Sequence, residues 1–186
     1  MKNIGLRCAM VMATVVIFVL MLVLNEWIFG SLSFVHGVNW IYLPAGVRLL
    51  CTLLFAGAGA VGLLIASWLV CFFYFFPDDI VRALYGSIVA TLAPYLVYLA
   101  ARRWMGLEKS LNNLTTSRLL VLSLLYAAGN ALLHQAVSLL LRRGLYLDRV
   151  FVLMVGDVLG TLIVLYAAKL VLKLLPTRRS TYELKS

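Results

Sequence analysis

Acidic residues are scarce in this chain: seven Asp and Glu stand against 16 Lys and Arg among 186 residues. They are scattered, with no pair at a spacing that serves general acid–base chemistry. Histidine is scarcer still. His36 and His134 stand alone and far apart, so a histidine-based metal site is not expected. The three cysteines, Cys8, Cys51 and Cys71, lie in apolar runs without CxxC spacing and read as small packing residues. No Ser-His-Asp set occurs in a recognisable context. Gly57-Ala58-Gly59-Ala60-Val61-Gly62 spells G-x-G-x-x-G, but the nucleotide reading of those letters needs a preceding strand and a βαβ unit, and neither is present. Polar stretches long enough for a soluble domain are missing, and so is any repeat of 20–50 residues. These absences argue against an enzyme, a cofactor and a metal centre.

Apolar runs are what the chain has in abundance: 64% of it is hydrophobic and its mean hydropathy is +1.03. Several segments exceed the ~18 residues expected of a spanning helix. In a soluble protein the net charge of +9 would suggest nucleic acid; beside such segments, loop lysines and arginines instead set topology and meet anionic lipid. The first run ends in Asn25-Glu26-Trp27-Ile28-Phe29-Gly30, which offers no A-x-A cleavage site, so it is expected to stay as a helix. Pro44–Phe76 is a nearly unbroken apolar run of 33 residues. One helix of that length would reach ~50 Å, well beyond a ~30 Å hydrocarbon core. A turn within Gly57–Gly62 divides it. The expected fold is all-α: one integral membrane domain over residues 1–186, with about six transmembrane helices near 8–29, 41–56, 60–76, 80–101, 119–141 and 146–170. Pro94 predicts a kink in the fourth.

Orientation follows from the basic residues. With six spans, the side of both termini holds Lys2, Arg7, Arg102, Arg103, Lys109, Arg118, Lys169, Lys173, Arg178, Arg179 and Lys185. The opposite side holds Arg48, Arg82, Arg142, Arg143 and Arg149. The positive-inside rule then places both termini in the cytoplasm. Arg142, Arg143 and Arg149 run against the rule and mark a candidate functional basic patch.

Four polar residues fall inside the outer half of the apolar segments: Arg48, Asn130, His134 and Asp157. An acid near mid-span costs roughly 2.5–3.5 kcal/mol on insertion scales and normally faces a partner or a wet cavity. Asn130 and His134, four apart, share a helix face. The expectation is an Arg48–Asp157 pair, or both residues lining one outward-facing cavity. Such a cluster either fixes helix register or holds a ligand or ion. Gly57, Gly59, Gly62, Gly156 and Gly160 are expected to let helices approach closely.

Two motifs resemble one bacterial family. Trp40-Ile41-Tyr42-Leu43-Pro44-Ala45-Gly46-Val47 and Gly156-Asp157-Val158-Leu159-Gly160 are similar to the first and last helix motifs of the membrane-associated sensor domain, first class, of histidine kinases and diguanylate cyclases. The resemblance covers residues 40–47 and 156–160. That family usually has about eight spans and a cytoplasmic output domain, whereas about six spans and no output domain are read here. It implies a related membrane fold in a bacterial inner membrane and a role in sensing. The expected function is a non-enzymatic sensor or accessory subunit that binds a small-molecule ligand or partner helices through the polar cluster. The basic loop Arg102–Arg118 would dock another protein. The alternatives are a small substrate-binding transporter component and a structural scaffold of a membrane assembly.

Overall fold

In a bilayer every backbone N–H and C=O must find a partner within the protein, which helices provide segment by segment. Among the described residues, the computed structural model meets this demand with six α-helices. It describes residues 2–35, 37–108, 110–111 and 113–174, with side chains from Ile4 to Val171. His36, Lys109, Arg178, Arg179 and Lys185 lie outside the described residues, as do the side chains of Lys2 and Lys173.

The helices are α1 (Lys2–Phe29), α2 (Leu43–Phe55), α3 (Gly57–Val70), α4 (Ile80–Trp104), α5 (Thr116–Leu140) and α6 (Leu147–Leu174). A π-helical turn, Cys71–Phe75, extends α3, closed by the Phe76 N–H on the Cys71 carbonyl at 2.9 Å. Between α1 and α2 the connector folds into a small hairpin of β1 (Ser33–Val35) and β2 (Val38–Asn39). α4 runs through Pro94 without a break.

Five of these helices are long and apolar enough to cross a membrane, so the chain is a multi-pass membrane protein. The sixth, α2, has 13 residues. At 1.5 Å per residue it reaches ~20 Å, short of a hydrocarbon core. It is the most enclosed of the six, packing on α1, α3, α4 and α6, and ten of its residues are buried. The two equal spans expected from Pro44–Phe76 are therefore a short central helix and a longer outer one. The reversal between them falls on Ala56, with φ of +49°, and not within the glycine run, which is helical from Gly57 onward.

The bundle's outer surface is apolar. Trp27, Phe73, Trp104 and Leu140 are among many large hydrophobic side chains left exposed, as expected where lipid is the solvent. Several serines and threonines inside the helices bond back to the preceding turn, for example Thr52 Oγ1 to the Arg48 carbonyl at 2.7 Å and Ser123 Oγ to the Leu119 carbonyl at 2.9 Å, whereas the buried hydroxyls of Ser67 and Thr161 have no hydrogen-bond partner among the described residues.

Glycines decide how α2 is held. A Cβ on Gly160 would overlap the Tyr42 carbonyl and come within 2.8 Å of the Leu43 nitrogen; one on Gly156 would overlap the Asn39 carbonyl. One turn further on, Val164 fills the space opposite Gly46. Residues 156, 160 and 164 thus form one face of α6, and the backbone leading into α2 lies directly on it. The Tyr42 N–H donates to the Gly156 carbonyl at 3.1 Å. The Leu43 N–H, one of the first-turn donors a helix leaves unmet, donates to buried Asn25 Oδ1 at 2.8 Å. Gly59 and Gly62 serve similar close approaches, to Cys51 on α2 and to Val11 and Thr14 on α1. Gly57 does not: nothing lies within 4 Å of its missing side chain, and its expected packing role is withdrawn.

These environments set a paired expectation. Gly160→Ala should lower stability by at least about 2 kcal/mol, because the new methyl meets backbone that cannot yield. Gly57→Ala should be neutral or stabilising by up to ~1 kcal/mol through helix propensity. Thermal unfolding of both variants in detergent checks the contrast; equal effects would contradict the seam.

Candidate functional site

One end of the bundle gathers the β1–β2 hairpin, the turn before α4 and the α5–α6 turn, and a cavity of about 370 Å³ opens there. Each wall comes from a different element. The first turns of α4 contribute Arg82, Tyr85 and Gly86; α5 contributes Asn130, His134 and Ser138; α6 contributes Arg149 and Leu153; and α2 contributes Arg48, with its N-cap residue Tyr42. Arg143, from the α5–α6 turn, completes the rim. Four arginines line this space and no acidic residue does.

Arg48 is 7% exposed. Its guanidinium lies over the rings of Phe18 and Tyr42, at 5.3 and 5.2 Å, and its hydrogen bond to the Tyr42 hydroxyl is long, at 3.5 Å. The Tyr126 hydroxyl is a neighbour, outside regular hydrogen-bond geometry. The buried Arg48 Nε has no hydrogen-bond partner.

The ion pair expected between Arg48 and Asp157 does not form: among the described residues no carboxylate lies within ion-pair distance of Arg48. Asp157 instead accepts from Asn130 Nδ2 at 2.6 Å. Asp157 is fully buried and does not line the cavity, whereas Asn130 does. The reason is angular. Gly156 commits one face of α6 to the α2 junction, and the next residue, about 100° round the helix, meets α5. Of the four residues singled out, Arg48, Asn130 and His134 share the cavity, and Asp157 stands behind Asn130. The Gly156–Gly160 face is used up within the chain and is not free for a partner helix.

The rim is braced by side chains that the sequence had not singled out as site residues. Asp79 caps α4, accepting from the Arg82 N–H at 2.9 Å, and receives both terminal nitrogens of Arg143, one of them at 3.0 Å. This ties the α5–α6 turn to the start of α4. Gln135 Nε2 donates to the Gly144 carbonyl at 3.0 Å while Gln135 Oε1 accepts from the Tyr146 N–H at 3.3 Å. The turn itself needs Gly144, at φ of +100°. Arg82 lies over Phe76 at 4.1 Å and Arg149 over Tyr146 at 4.2 Å. The one signal in the sequence for this rim was the set of arginines on the side that the positive-inside rule leaves poor in charge.

Arginine donors hold the Asp79 carboxyl down to about 2, from its usual 3.8; the Arg143 hydrogen bonds are the largest cause and the Arg82 N–H follows. Arg143 is correspondingly raised. An acid depressed in the folded state adds stability above its unfolded pKa and loses it as pH falls through the folded one. The brace should therefore be complete above about pH 4 and lost towards about pH 2. The pair is about one-third exposed, so its contribution should stay within the ~0.2–1 kcal/mol of exposed pairs. Asp79→Asn keeps a capping side chain and removes the charge. It should lower the melting temperature slightly at pH 7 and flatten its fall between pH 4 and 2; a variant that still tracks the parent at every pH would exclude the brace.

Comparison with protein-family models, with curated proteins and with solved structures finds no match for this chain.

Proposed function

We propose that this chain is a non-enzymatic membrane sensor or accessory subunit that binds a small anionic ligand in the arginine-lined cavity. One observation carries the reading: a buried arginine without a carboxylate partner lines a cavity that three more arginines and no acid also line. Burying a cation costs several kcal/mol unless it is paired, and a ligand anion supplies the pair. Arginine presents a planar fork of donors suited to carboxylate and phosphate. Ligand binding at Arg48 acts on α2, which touches four other helices, so a shift between two helix packings carries the signal. The proposed orientation is six membrane segments with both termini cytoplasmic, the cavity facing outward, and the basic loop Arg102–Arg118 docking a protein partner. The resemblance at residues 40–47 and 156–160 is what supports a bacterial inner membrane as the proposed location.

A second reading, a substrate-binding transporter component, is favoured by α2 itself. A short helix inside the bundle, with Arg48 and the N-cap residue Tyr42 on the cavity wall, resembles the short internal helices that carry substrate sites in transporters.

The test is thermal stability of the purified protein in a maltoside detergent, with sulfate, phosphate and citrate compared with chloride at matched ionic strength. A binding anion at 100 times its Kd stabilises by about 2.7 kcal/mol, a shift of several degrees. Arg48→Gln should fold and lose the response; Arg82→Gln with Arg149→Gln, at the half-exposed rim, should weaken it. No stabilisation by any of the three anions, or a response unchanged in Arg48→Gln, would sink the proposal.

A further inference from the structure

The cavity has two cationic levels, and their separation restricts what can fill it. Asn130, His134 and Ser138 line it along one face of α5. Eight residues at 1.5 Å each make this wall ~12 Å deep. Arg48, 7% exposed on α2, which packs on α6, forms the floor. Arg82 and Arg149 stand at the rim, each two residues into its helix. Between the levels the lining is uncharged: Leu153 lies one turn below Arg149, Ala90 two turns below Arg82, and Tyr85 meets His134 edge-on at 6.4 Å.

The rim arginines are fixed. Arg82 is stacked on Phe76 and Arg149 on Tyr146, which leaves the in-plane N–H edges of each guanidinium for an acceptor. Among the described residues, neither has a carboxylate within ion-pair distance; Asp79, near Arg82, forms its ion pair with Arg143. Floor and rim each hold arginine with no carboxylate within ion-pair distance among the described residues. At ~30 Å³ per water the volume equals about a dozen waters, room for an extended organic molecule.

From this arrangement we infer that the cavity selects an elongated ligand with an anionic group at each end, the inner group on Arg48 and the outer on Arg82 and Arg149. The inference rests on the anion-binding reading above and adds the ligand's shape and charge spacing to it. Occupying both levels with one molecule makes the second contact intramolecular, so affinity gains without new protein contacts.

Straight-chain dicarboxylates of increasing length, each compared with the monocarboxylate of equal length, provide the test. Binding is read by calorimetry on the full chain in maltoside, which carries no phosphate of its own. Dicarboxylate affinity should pass through an optimum as the carboxylate separation approaches the ~12 Å wall. At the optimum it should exceed the matched monocarboxylate by at least about tenfold. Arg82→Gln with Arg149→Gln should erase both the optimum and the advantage while monocarboxylate binding persists; Arg48→Gln should reduce both ligands. Monocarboxylates that bind and are lost in Arg48→Gln, with no length optimum for dicarboxylates, would overturn the two-ended ligand and leave the anion cavity standing. No binding by either series would overturn both.

Discussion

The contact between the face of α6 formed by residues 156 and 160 and the backbone of Asn39–Leu43 is the constraint on which the rest depends. Two backbones come together there because no side chain intervenes at Gly156 or Gly160. In lipid, helices gain nothing from burying apolar surface against one another, so close packing and hydrogen bonds must supply the cohesion. The seam provides both, through the Val164–Gly46 fit and the Tyr42–Gly156 hydrogen bond. With Asn25 receiving the Leu43 N–H from the opposite side, the start of α2 is held between α1 and α6. The depth and direction of Arg48, one turn and a half further on, follow from that anchorage.

A buried guanidinium in this position is tolerated through partial compensation. Two aromatic faces and a tyrosine hydroxyl surround it, and cation–π contacts of this kind contribute ~0.5–2 kcal/mol, less than the desolvation of the charge. Asp157 acts on Arg48 through space but spends its hydrogen bond on Asn130. The charge is therefore offset at a distance, and its in-plane donors are left for something the cavity admits. A direct Arg48–Asp157 bridge would have closed the floor.

Much of the helical layout was legible from composition and periodicity, because the bilayer permits few alternatives: all six segments appear as helices, and their ends fall close to the polar turns. Gly59, Gly62, Gly156 and Gly160 were legible as close-approach positions because small residues in apolar helices have few other uses. Asp157 was legible as a residue needing a partner. Its partner was not, since the choice between Arg48 and Asn130 depends on a rotation of about 100° that spacing within one helix cannot reveal. The length of α2 was equally hidden: an apolar run of 33 residues divides in several ways, and the division turned on a left-handed Ala56 instead of on a glycine. A cavity was one of the alternatives read for Arg48 and Asp157, but its lining was not legible, because the walls come from segments more than 100 residues apart, Tyr42 and Arg149 among them.

The arginines that disturb the charge asymmetry of the loops are, apart from Arg142, the ones that converge on the cavity. Arg48, Arg82, Arg143 and Arg149 all line it, while topology alone would favour fewer cations on that side. Each raises the local positive potential; Asp79 offsets this at Arg143, and aromatic rings offset part of it at Arg48, Arg82 and Arg149. Neutral side chains also brace this end of the bundle, as Gln135 does at the α5–α6 turn. The proposed anion accounts for the convergence of the four arginines on one acid-free space. On that proposal the same residues connect the anion to α2, α4 and α6 at once, and occupancy of the cavity is coupled through them to the arrangement of the helices.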